Sequence, residues 1–163
     1  MNEEKESAGR KQPIAQKGMP LALNTLSPLT SLVAVVVILS LLEALLIIIG
    51  ILPPVLKYSP GNVVFSLAQF AVIVYAGVVF APQGLKKAAS NGAILAFAMA
   101  ATLCVVGLIS SALFRRSVLG LSSPNIETSL FLFIIIIIEN AILGAVVAAI
   151  AAFAANFVNK KRV

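Results

Sequence analysis

Two acids, Glu43 and Glu139, stand inside long apolar runs of this 163-residue chain. A charged side chain at the centre of a membrane helix costs about 2.5–3.5 kcal/mol on insertion scales, so ionisable groups there are functional by default. Two chemistries suit a carboxyl in that place. It can take up and release a proton or a cation, or it can hydrogen-bond a neighbouring helix or a partner protein. Gln69, Thr102 and Asn140 offer amide and hydroxyl groups in the same kind of surroundings. Glu43, Gln69, Thr102, Glu139 and Asn140 are therefore the candidate site for a proton, a cation or a partner contact.

Depth brings these residues together. With a helical rise of about 1.5 Å per residue, Glu43 lies about 16 Å beyond Leu32 and Glu139 about 15 Å beyond Ser129. Gln69 lies about 10 Å beyond Asn62, and Thr102 about 15 Å beyond Gly92. The hydrocarbon core is about 30 Å thick, so both acids fall near its middle. Helical phase supports one pair. Ser40, Glu43, Ile47 and Gly50 form one stripe, and Asn62, Ser66, Gln69, Ile73, Ala76 and Gly77 form another. The spacing predicts a hydrogen bond between Glu43 and Gln69. On the last run, Gly144, Ala145, Ala148 and Ala152 belong to a broad small-residue face suited to close helix packing. Glu139 is phased nearly opposite that face, which points it to lipid or a partner unless the helix packs on two sides.

Composition says what kind of element holds these groups. The chain is 60% hydrophobic and 11% charged, with a mean hydropathy of +1.06. Soluble domains carry about 25% charged residues. There is no His and one Cys, Cys104. Imidazole bases, His-ligated metals and an internal disulfide are excluded, and Cys104 reads as a small packing residue. No phosphate-binding loop, nucleophile elbow or metalloprotease motif occurs. The expectation is a protein that is not an enzyme and has no metal or cofactor. The net charge of +6 comes from residues flanking apolar runs. That is a topology signal and not a nucleic-acid footprint.

Four runs are long enough to cross a bilayer, at about residues 32–52, 62–80, 92–114 and 129–157. The fold class is thus all-α, a four-transmembrane-helix bundle. Ser27-Pro28 and Ser59-Pro60 read as caps followed by Pro at the first helical position. Asn91 is read as the cap of the third helix, and Thr128 or Ser129 as that of the fourth. Pro53-Pro54 ends the first helix, and Pro82 with Gly84 follows the second. The domain divisions are a polar, disordered segment at 1–27, a membrane domain at 28–158 and a short basic tail at 159–163.

Lys and Arg set the orientation. Lys5, Arg10, Lys11, Lys17, Lys86, Lys87, Lys160, Lys161 and Arg162 fall on one side, against Lys57, Arg115 and Arg116 on the other. The positive-inside rule puts both termini in the cytoplasm of a multi-pass cell-membrane protein. Short connections leave no room for a soluble domain. Two functions remain. The first is a structural or accessory subunit of a larger membrane complex, whose partners are the bilayer and other membrane subunits or copies of itself. The alternative is a small oligomeric transporter or channel, coupled to protons or cations through Glu43 and Glu139. No motif assigns the chain to a family.

Overall fold

The computed structural model describes residues 27–57, 59–115, 117–120 and 126–160. The polar segment at 1–26, Tyr58, Arg116 and the last residues of the tail lie outside them. Four helices make up the fold: α1 (Pro28–Ile48), α2 (Pro60–Phe80), α3 (Leu85–Phe114) and α4 (Ile126–Lys160). A short 3-10 turn, Ala81–Gln83, joins α2 to α3. No strand occurs among the described residues. All four helices are long and apolar enough to cross a membrane. Ile38, Phe131, Ile138, Ile150 and many other large apolar side chains are exposed around the outside. A bundle in water would carry a polar face there, so the arrangement suggests a multi-pass membrane protein.

The helix starts follow local chemistry. Ser27 accepts a hydrogen bond from the Thr30 N–H at 3.3 Å, and Ser59 from the Asn62 N–H at 3.2 Å, each with Pro next in the chain. The ends differ from the sequence expectation. α1 stops at Ile48, before Pro53-Pro54, because Gly50 turns left-handed at φ 86°. The Gly50 N–H then reaches the Ile47 carbonyl at 3.1 Å and the Ile51 N–H reaches Leu46 at 2.9 Å, a Schellman cap. Gly50→Ala should therefore cost about 1 kcal/mol, since a side chain disfavours that backbone geometry. Thermal unfolding in detergent checks it, and an unchanged melting point would count against the cap.

α3 begins at Leu85, not near Gly92, and Asn91 lies inside it, buried, instead of capping it. Lys86 and Lys87 mark a charged first turn of the helix and not a loop. Gly84, at φ 97°, makes the only break there. α4 likewise starts at Ile126, so Thr128 and Ser129 sit within its first turn.

α3 is central. It packs on α1, α2 and most extensively on α4, while α2 also touches α4 and α1 touches α2. Two clusters of buried side chains fill the bundle. One joins Val36, Ile73, Phe80, Leu95, Ala148 and Ala152, with Leu29 and Ala155 packed against it. The start of α1 and the end of α4 therefore share one end, the terminal end. The other cluster joins Ala44, Ile47, Leu103, Cys104, Val118 and Leu119. It closes the opposite, loop end. The candidate site lies between them.

Candidate functional site

Ser40 and Glu43 lie one turn apart on the buried stripe of α1, and Gln69 on that of α2. Glu43 is 1% exposed and Gln69 4%. The Gln69 amide nitrogen donates to Ser40 Oγ at 3.2 Å and to Glu43 Oε2 at 3.3 Å. Ser40 Oγ in turn donates to the Val36 carbonyl at 2.8 Å. The Glu43–Gln69 contact is the one predicted from helical phase. Ser40, which completes the clamp, was visible in the same stripe but not recognised as a partner. The other oxygen, Glu43 Oε1, is buried and accepts no hydrogen bond. Buried polar atoms are nearly always paired, so an orphaned carboxyl oxygen calls for an explanation.

A cavity lies beside the same side chain. Glu43 lines a space of about 330 Å³ together with Gln69, Met99, Glu139, Asn140 and Leu143. The two acids, drawn from α1 and α4, thus border one volume. A second cavity of about 300 Å³ shares Ser66, Gln69, Met99, Asn140 and Leu143 with the first, and continues past Phe70, Ile73 and Val147. Ser66 and Phe70 on α2, and Glu139 and Leu143 on α4, are exposed as well as cavity-lining. The spaces therefore open sideways, between α2 and α4. Glu139 also borders the outer apolar surface beside Ile135, Ile138 and Ile142. It is neither interior nor simply outward: it forms the lip.

Thr102 stands apart. Its hydroxyl donates to the Ala98 carbonyl of its own helix at 2.7 Å, and Met99, Ala100 and Leu103 line the cavity in its place. Asn140 donates to its own helix too, at Ile136 O and 2.8 Å, yet it faces both cavities.

The walls are held by close packing on one side and by loops on the other. Gly144, Ala148 and Ala152 are buried, while Ala145 is half-buried. A Cβ on Gly144 would meet the Ala96 Cβ and the Gly92 carbonyl, and one on Gly77 would meet the Ala148 carbonyl. Glycine at these points lets α2, α3 and α4 touch backbone to backbone at the terminal end. Gly77 and Gly92 are partners in this seam that the small-residue face of the last helix did not reveal. At the loop end the Val55 N–H donates to Val118 O at 2.9 Å, and Leu56 N–H to Leu119 O at 3.2 Å. The Asn62 amide ties down the same loop through the Pro53, Pro54 and Lys57 carbonyls at 3.1–3.2 Å. Val55, Leu56 and Leu119 form the cavity's loop-end wall.

No family model, no curated protein and no solved structure matches the chain. The chemistry must be read from the site itself. Among the described residues, no three His, Cys, Asp or Glu side chains converge as metal ligands. What the arrangement offers is a carboxyl with one oxygen fixed and one free, a second carboxyl at the mouth, and two amides between them.

Proposed function

We propose that this chain is a small transporter of the cell membrane, with both termini in the cytoplasm, that handles a proton or a cation at Glu43 and Glu139. The observation that carries the reading is a buried glutamate, Glu43, on a cavity that Glu139 also lines. Gln69 orients Glu43 by holding Oε2, and the carboxyl exchanges its proton or cation with whatever occupies the cavity. The packed clusters above and below the cavity act as two seals. Loosening one at a time would connect the site to one side of the membrane at a time. The role involves no bond-making chemistry, and no catalytic activity is proposed.

The test is proton movement in liposomes holding the full chain and an entrapped pH dye. Proton entry is driven by a potassium diffusion potential, and proton exit by Na⁺ added outside. Wild-type protein should show one of these fluxes, Glu43→Gln should abolish it, and Glu139→Gln should reduce it. Equal flux in all three preparations would reject the carboxyl mechanism.

A second reading, an accessory subunit of a larger membrane assembly, draws on Glu139 and the exposed isoleucines beside it as a contact surface. Native mass after mild extraction separates the two. A defined complex with other subunits favours the accessory role, and a small homo-oligomer favours transport.

A further inference from the structure

We propose that the joined cavities bind a protonated organic amine with an apolar body, which enters from the lipid between α2 and α4. The inference rests on the cation-site reading above and names the class of cation. Charge complementarity comes first. Among the described residues, the two titratable side chains lining the spaces are both acids, and no Lys or Arg lines either one. The hydrogen-bond inventory comes second. Glu43 Oε1 is unpaired. The Gln69 and Asn140 side chains donate through their nitrogens, and among the described residues no hydrogen bond reaches either amide oxygen. Carboxyl and amide residues that line one volume, Glu43, Glu139, Gln69 and Asn140, fit an ammonium group, which has donors and no acceptor. A bare metal cation would want more oxygens, typically six or more for a hard divalent ion.

The apolar part has its own place. Beyond Gln69 and Asn140 the second cavity is walled by Phe70, Ile73, Ala96 and Val147. Together the spaces fall in the range of small-molecule pockets, about 300–1,000 Å³ with mostly apolar walls and a few polar groups. The route is lateral. Phe70 is 50% exposed and Leu143 55% exposed, both on the flank between α2 and α4. An amphipathic amine already concentrates in the bilayer, where this mouth opens. Glu139 at the lip meets the ammonium first, and Glu43 receives it.

The test uses the full chain in lipid nanodiscs and three probes that share one body. These are 1-naphthylmethylamine, the neutral 1-naphthylmethanol and the anionic 1-naphthylacetate. Binding of the tritiated amine should be saturable, and neither analogue should displace it. Glu43→Gln should weaken it about 30-fold, the lower end of what losing one partner of a buried charge pair does. Ser66→Trp narrows the mouth without touching an acid, and should slow association while the elution profile stays that of wild type. Displacement by the alcohol as effective as by unlabelled amine, or unchanged affinity in Glu43→Gln, overturns the proposal. The alcohol comparison needs no variant and decides the matter even where Glu43→Gln fails to fold. Proton flux measured on the same protein distinguishes the two readings. Glu43-dependent flux without amine binding rejects the amine and keeps the proton site. Loss of both rejects the site itself.

Discussion

Gly144→Val should separate α3 from α4 and lower stability by about 3 kcal/mol or more, at the upper end of what overpacking costs. The valine Cβ would meet the Ala96 Cβ and the Gly92 backbone. Neither is the far end of a flexible side chain, so the helices themselves must move apart. The α3–α4 seam is the most extensive in the bundle, and dispersion falls off over a fraction of an ångström. Asn140 stands one turn from Gly144, so the cavity wall would shift with it. Gly84→Val is the control. Nothing lies within 4 Å of a Cβ at Gly84, but its φ of 97° makes any side chain strained, a cost of about 1–3 kcal/mol that leaves the seam intact. Thermal unfolding combined with amine or proton assays on the folded fraction tells the two apart. The Gly144 variant should lose both stability and function, and the Gly84 variant stability alone.

Glu43→Lys should reduce the steady-state level and protease resistance of the protein far more than Glu43→Gln. Glutamine keeps the shape and can still accept the Gln69 N–H that now reaches Oε2 at 3.3 Å. Lysine offers donors to a donor, in a position 1% exposed, and leaves Gln69 only Ser40 Oγ as an acceptor on α1 with a buried charge beside it. Breaking a buried polar pair in this way costs about 3–5 kcal/mol. Equal levels and equal resistance for the two variants would show that the position is not confined.

Much of this was legible in the sequence, for physical reasons. Long apolar runs dictate helices because only a helix satisfies its own backbone in hydrocarbon, and Ser-Pro pairs fixed two starts to the residue. The Glu43–Gln69 bond followed from stripe spacing in two helices joined by a short turn. Charge proved a poor guide to helix ends. Lys86 and Lys87 report topology, but nothing in their side chains breaks a helix, so α3 runs through them. The Gly50 cap preceded the more conspicuous Pro53-Pro54. Depth alone could not say that Thr102 would turn its hydroxyl onto Ala98 or that Glu139 would edge a cavity. Both depend on how helices rotate and lean against each other, which is a property of pairs of helices and not of one.

The polar clamp on α1 and α2 bears on how the chain is made. These two helices touch each other little, and the Ser40–Gln69–Glu43 bonds tie them together at mid-height. During synthesis they emerge first and wait in the bilayer for the rest. A lone glutamate there would invite rejection by the insertion machinery or capture by quality control. Bonded to Gln69, the first hairpin meets most of its own polar demand and can dwell in lipid as a finished intermediate. Two atoms of the hairpin stay unmet, Oε1 of Glu43 and Oδ1 of Asn62, and the cavity beside Glu43 is enclosed only when the last helix arrives. Assembly of the working site would then be timed to the completion of the chain.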